Sequence, residues 1–312
     1  MNNYKWNINE LKQKLNKLKQ MQEFDKKCEL DIMTLNQMLG NYSNQCELTL
    51  NLLQQKEVNK YNDFFIKLAS DFYENNIFKR ISVPNVGYID LSIEKELELI
   101  HDFYKTCNSN FYANFLNVFN KKNTNLQIIN NPYISSGIAY HLLSEKESYI
   151  NINTLNTIHD LEILAHEYAH AITFSMYPNF IANSNFTFIR ELDGLFFQTK
   201  FLDFLIENNI LKQEAILAKV NFHTQMNRKA ASIQMSESSL LNTVYLFSYL
   251  ASIELCMIDN KNPEDILEKI IRENPKSLSE TIEILTSYIT LNTNVESFQK
   301  KLKMQLDNNF AH

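Results

Sequence analysis

Glycine and proline are scarce, with four and five among 312 residues. An architecture of many short strands and tight turns is therefore excluded, because it needs those residues at most chain reversals. Cysteine is also rare. Cys28, Cys46, Cys107 and Cys256 lie far apart and form no C-x-x-C pair, so neither a cysteine zinc site nor a disulfide framework is indicated and reduced thiols are expected. No run of about eighteen apolar residues occurs; the nearest, Val244 to Ile258, is short and carries Glu254. The start, M-N-N-Y-K-W-N-I-N-E-L-K, lacks the apolar core of a secretory signal. These absences predict no membrane partner and a cytoplasmic location. Basic blocks are missing too: a net charge of -6 comes from dispersed residues, which argues against a nucleic-acid partner.

What remains is rich in helix-forming residues, and long helices dominate the expectation. Residues 9–39 and 45–75 read as two of them, with Leu11, Leu15, Leu18, Met21 and Phe24 marking the apolar face of the first and Gly40–Asn41 a stop between them. The heptad pattern does not persist, so a hairpin packed on the core is favoured over a free coiled coil. Pro84 and Gly87 predict a turn within 77–89, and a further helix is expected over 92–120. The polar stretch Lys121–Asn125 suggests a boundary between an N-terminal helical region, 1–120, and a second domain, 121–312. Within that domain, Leu126–Ile129, Ile138–His141 and Tyr149–Ile152 are short β-prone runs separated by turn residues. The expected fold is mainly α with a small antiparallel β-sheet.

The most informative stretch is L-A-H-E-Y-A-H-A, Leu164 to Ala171, in an apolar helix expected over 155–176. Residues four apart share a helix face, so His166 and His170 can reach one point in space, with Glu167 projecting about a hundred degrees round. This is the H-E-x-x-H arrangement of two zinc-binding histidines and a glutamate that takes a proton from water. Burying three such groups in an apolar helix costs several kcal/mol unless something pairs them, and zinc would do so.

A second apolar helix is expected over 186–208, after a loop at 177–185, and Glu191 stands within it among Phe188, Ile189, Leu192, Leu195 and Phe196. A buried glutamate needs a partner and zinc needs a third protein ligand, although pairing with Arg190 or a lysine would also satisfy it. Gly194 would let this helix approach the first closely. Helices are expected again over 210–234, 238–258, 263–273, 277–292 and 294–308, with Pro263 and Pro275 in first turns. Tyr245 and Tyr249 are four apart, so both hydroxyls could face one site and donate to an oxyanion, or both could belong to the core.

Together, D-L-E-I-L-A-H-E-Y-A-H-A, then R-E-L-D-G-L-F-F, then V-Y-L-F-S-Y-L-A-S resemble the catalytic half of the oligoendopeptidase F and thimet oligopeptidase family of zinc peptidases, a gluzincin group. The resemblance spans roughly residues 130–255. It implies zinc held by His166, His170 and Glu191, with Glu167 as general base and Tyr245 and Tyr249 steadying the tetrahedral intermediate. A peptide substrate is implied with them. The chain departs from the family in three ways. Ala169 replaces a glycine. Residues 231–244 hold neither the family's histidine nor its glycine loop, and His223 lies too far upstream in sequence to stand in. The chain is also only about half the family's usual length, which suggests a more open groove. The expected function is zinc-dependent hydrolysis of peptide bonds. The alternative is a non-catalytic, helical peptide- or partner-binding protein with a structural or relic zinc site.

Overall fold

The computed structural model describes residues 4–20, 26–40, 55–56, 58–78, 88–129, 136–154, 156–178, 189, 191–235, 240–258, 263–275, 277–291 and 294–310. In chain order the described elements begin with α1 (Ile8–Lys19), α2 (Lys26–Met38), α3 (Asn62–Glu74), α4 (Ile93–Tyr104), α5 (Ser109–Phe119) and the short α6 (Lys122–Asn125). Three strands follow, β1 (Leu126–Ile129), β2 (Ser136–Leu142) and β3 (Glu147–Asn153). The remainder is helical: α7 (Ile158–Met176), α8 (Leu192–Glu207), α9 (Lys212–Gln234), α10 (Leu240–Cys256), α11 (Pro263–Glu273), α12 (Leu278–Tyr288) and α13 (Val295–Phe310).

The mainly α fold is as expected, but several helices are shorter than the apolar periodicity suggests. The helix expected over 92–120 is two, because the Asn108 side chain accepts a hydrogen bond from the Phe111 N–H at 2.9 Å and starts α5 afresh. Asparagine competes in this way for backbone donors, and the hydrophobic pattern does not register it. The helix expected over 9–39 is likewise divided, into α1 and α2. Pro263 opens α11, whereas Pro275 precedes α12 altogether, since Ser277 caps that helix by accepting from the Glu280 N–H. Residues 41–54, 79–87 (with Pro84 and Gly87), 179–188 and 236–239 lie outside the described residues, and with them parts of the expected turns and helix starts.

The sheet is mixed rather than antiparallel. Its order is β1-β3-β2, with β2 antiparallel to β3 and β1 parallel to it. β3 returns through the middle, so Ile129 and Ser136 both pair at Asn153 from opposite sides. Ile129 and Ser136 therefore lie two strand spacings apart, about 10 Å. Short β-prone runs and turn residues specify strands, not which strands become neighbours.

Alternation places Ala139, His141, Ile150 and Ile152 on the face towards α7, while Tyr140, Leu142 and Tyr149 face the other way. Trp6, Leu11, Leu15, Leu35 and Met38 of the N-terminal region cover that second face. The Trp6 indole donates to the Asn125 carbonyl at 3.0 Å, and the Asp31 carboxylate accepts from the Leu143 and Ser144 N–H groups at 2.6 and 2.8 Å. The main core draws on both sides of residue 121, including Phe65, Phe72, Phe103, Phe111 and Phe115 as well as Tyr168, Phe197 and Phe247. Among the described residues, no helix is long and apolar enough to cross a membrane. Cys28 and Cys107 are buried and Cys256 is half-buried, while Cys46 lies outside the described residues.

Candidate metal centre

Helix α7 is apolar nearly all round because it is enclosed on every side, with the sheet, α8, α5 and α4 packed against it. Two hydroxyls reach its carbonyls: Tyr104 donates to Ala165 at 2.7 Å and Ser148 to Ala171 at 3.0 Å. These bonds fix the helix between α4 and β3 on either side of the histidine pair.

The two imidazoles do converge. His166 and His170 have ring centroids 4.6 Å apart, and Glu191 Oε2 lies 3.4 Å from His166 Nε2 and 3.8 Å from His170 Nε2. One ligand atom from each of the three residues falls within 4.8 Å of the others. Glu191 is not inside a helix as expected; it is the N-cap residue of α8, and its side chain turns to the histidines instead of capping the backbone. Arg190 lies outside the described residues, and the histidines satisfy the carboxylate. Burial pushes Glu191 up, but hydrogen bonds and charge from the two histidines prevail and hold it well below the usual carboxylate range. His170 is likewise pushed down by burial, yet Asp193 and then Glu191 hold it well above the usual histidine value.

Zinc fits this donor set. Tetrahedral coordination with bonds of about 2.0–2.2 Å sets neighbouring ligand atoms about 3.4 Å apart, close to the 3.4 and 3.8 Å observed. Asp193 gives a second indication. Its Oδ1 accepts from the His170 Nδ1–H at 3.0 Å and from the Gly194 N–H at 2.8 Å, but its buried Oδ2 has no hydrogen-bond partner among the described residues. A carboxylate buried in this way calls for nearby positive charge, which a cation on the far nitrogen of His170 would supply.

Glu167 is placed by β2. Its carboxylate accepts from the Ala139 backbone N–H, and burial, the first influence, raises it above the usual range while His166 and His170 oppose that rise. Gly137 and Gly194 make the close packing possible. A Cβ on Gly137 would meet Glu167 Cγ at 2.7 Å, and one on Gly194 would meet the His166 ring at 2.5 Å. The close approach expected at Gly194 is thus observed.

The tyrosines turn towards α9. Tyr249 is fully buried and its hydroxyl shares a 2.8 Å hydrogen bond with His223 Nδ1, inside a shell that includes Phe72 and Phe222. Tyr245 is half-buried, with the Lys229 ammonium 5.1 Å from its ring centroid. His223, dismissed from its sequence position, is therefore brought to Tyr249 by antiparallel packing of α9 and α10. Asp193, Gln198, Gly137 and Ala139 also touch the site without having been singled out. Asp193 and Gln198 could have been noticed as polar residues in an apolar helix; Gly137 and Ala139 lie in a segment, Gly137 to Asn151, that resembles the family's sheet and approach strand, but nothing in it marked these two positions individually.

A small sheet laid on a helix bearing two histidines and a glutamate, with a second helix whose N-cap Glu191 faces both histidines, is a fold with likenesses among solved structures. Among solved structures, a protein described as oligoendopeptidase F from Bacillus anthracis str. Ames superposes with a TM-score of 0.51 at 11% identity, over 96% of this chain and 64% of that one. Another described as oligoendopeptidase F gives 0.48 at 9% identity, and PZ peptidase A, solved with an inhibitor, gives 0.49 at 11%; each covers 96% of this chain and 66% of its own. At such identities the likeness is one of fold. No protein-family model and no curated protein matches the sequence.

Proposed function

We propose that this chain is a zinc-dependent peptidase acting on peptides or on a dedicated protein substrate. The observation that carries this reading is the convergence of Glu191 Oε2 on both histidine Nε2 atoms at 3.4 and 3.8 Å. His166, His170 and Glu191 would hold the metal. When bound, zinc supplies Lewis acidity, lowering the pKa of water towards neutrality and polarising a carbonyl.

The remaining roles belong to the chain. Glu167, held by the Ala139 N–H with its affinity for protons raised by burial, would take a proton from the attacking water and pass it to the leaving amine. A substrate carbonyl that gains negative charge needs a donor, and Tyr245 is assigned to that role, the Tyr249 hydroxyl being engaged by His223. Among the described residues β2 is an edge strand, so its outer side could hold an extended peptide by main-chain hydrogen bonds.

One observation favours the second reading, a non-catalytic peptide- or partner-binding protein: the Tyr249 hydroxyl is already engaged by His223. The decisive experiment measures zinc by elemental analysis and hydrolysis of a peptide library, for wild type, Glu167→Gln and Glu191→Ala. The peptidase reading expects about one zinc per chain in wild type. Glu167→Gln should keep the metal and lose activity by orders of magnitude, and Glu191→Ala should lose metal. Zinc in wild type without hydrolysis of any peptide would favour the binding protein.

A further inference from the structure

The segment 191–198 contacts both ring nitrogens of both histidines. Glu191 faces the two Nε2 atoms at 3.4 and 3.8 Å, while Asp193 Oδ1 meets His170 Nδ1 at 3.0 Å and Gln198 Oε1 meets His166 Nδ1 at 3.1 Å. A carboxylate oxygen and an amide oxygen can only accept, so each Nδ1 must carry a proton. Each Nε2, on the Glu191 side of its ring, is then the nitrogen left to bind a metal. We propose that Asp193 and Gln198 are positioning residues that lock His166 and His170 in the Nε2-ligating tautomer and orientation, so that zinc affinity is set by these two side chains as well as by the three ligands. The inference rests on the zinc reading above.

Burial makes the arrangement costly without that role. Asp193 is 1% exposed and Gln198 5%, on a helix otherwise lined by Leu192, Leu195, Phe196 and Phe197. Gly194 completes the grip, since a side chain there would displace the His166 ring from the Gln198 amide. The two partners differ in charge. The carboxylate makes His170 the more basic ligand, whereas the neutral amide orients His166 without adding a negative charge beside the metal.

The test is zinc affinity of the full chain by competition with a chromophoric chelator, for wild type, Gln198→Leu, Gln198→Glu, Asp193→Ala and Asp193→Asn, with the melting of each metal-free protein measured alongside. Gln198→Leu and Asp193→Ala should each weaken zinc about 10–100-fold. Gln198→Glu restores an acceptor of the same length and should bind at least as tightly as wild type. Asp193→Asn keeps the volume and one oxygen, and should fall between wild type and Asp193→Ala. Rescue by Gln198→Glu separates orientation of the ring from general damage to the fold. Unchanged affinity in Gln198→Leu and Asp193→Ala, or loss in Gln198→Glu as large as in Gln198→Leu, would overturn the proposal and leave the zinc site standing. Failure of wild type itself to bind zinc would instead overturn the zinc reading, and this inference with it.

Discussion

Gly137 and Glu167 pack so closely that a Cβ on the glycine would sit 2.7 Å from Glu167 Cγ and 2.6 Å from Ile163 Cγ2. The edge strand β2 thus sets the position of the proposed base through a missing side chain as well as through the Ala139 N–H.

Two alanine substitutions should therefore have different consequences. Gly137→Ala would displace Glu167 and is expected to lower peptide hydrolysis while zinc is retained. Gly194→Ala would strike the His166 ring and is expected to weaken zinc binding and to cost about 1–3 kcal/mol of stability from overpacking. Zinc content, turnover and urea unfolding of the two variants provide the check; equal zinc affinity in wild type and Gly194→Ala would contradict the close packing.

Tyr249→Phe asks what the buried hydroxyl does. His223 Nε2 has no partner among the described residues, and the substitution would strip Nδ1 as well. A loss of about 1–3 kcal/mol is expected, with zinc content unchanged. A fall in turnover without any change in melting would instead place the hydroxyl at the substrate.

Glu96 imposes a pH dependence. Burial, and then the charge of Asp160, push it up to about 8 from 4.5. In the unfolded chain it ionises near pH 4.5, so between 4.5 and 8 the folded state holds a proton that the unfolded state has released. Its contribution is fully present below pH 4.5 and is lost, by about 1.4 kcal/mol per pH unit, as pH rises towards 8. Glu96→Gln should consequently be more stable than wild type at pH 8 and no more stable at pH 4.5, as read from urea midpoints at the two values.

Removal of residues 1–120 should leave a fragment that does not melt cooperatively. Trp6, Leu11 and Leu15 cover Leu142 and Tyr149, and Tyr104 donates to the Ala165 carbonyl of α7. Circular dichroism melts of residues 121–312 would decide this; a soluble, zinc-loaded fragment with a sharp transition would show that the N-terminal helices are dispensable.

Much of the site was legible because it is local. Helical periodicity alone brings residues 166 and 170 to one face, whatever the helix packs against. The apolar run around Glu191 marked it as a buried carboxylate in need of a partner, and its partners are the two histidines. Its position at the N-cap was not legible, because the one capping-type residue in F-T-F-I-R-E-L, Thr187, stands four positions before it.

The sequence by itself determined which stretches are helical or extended and which side chains could meet within one helix, since those depend on residue type and spacing over a few positions, though it did not determine every helix boundary. Only the tertiary structure decided how the elements are arranged around one another. The parallel pairing of β1 with β3, the hydrogen bond between His223 and Tyr249 and the grip of Asp193 and Gln198 on the imidazoles all join residues from separate elements. Contacts of that kind follow from how faces pack in three dimensions, and no one-dimensional period encodes them.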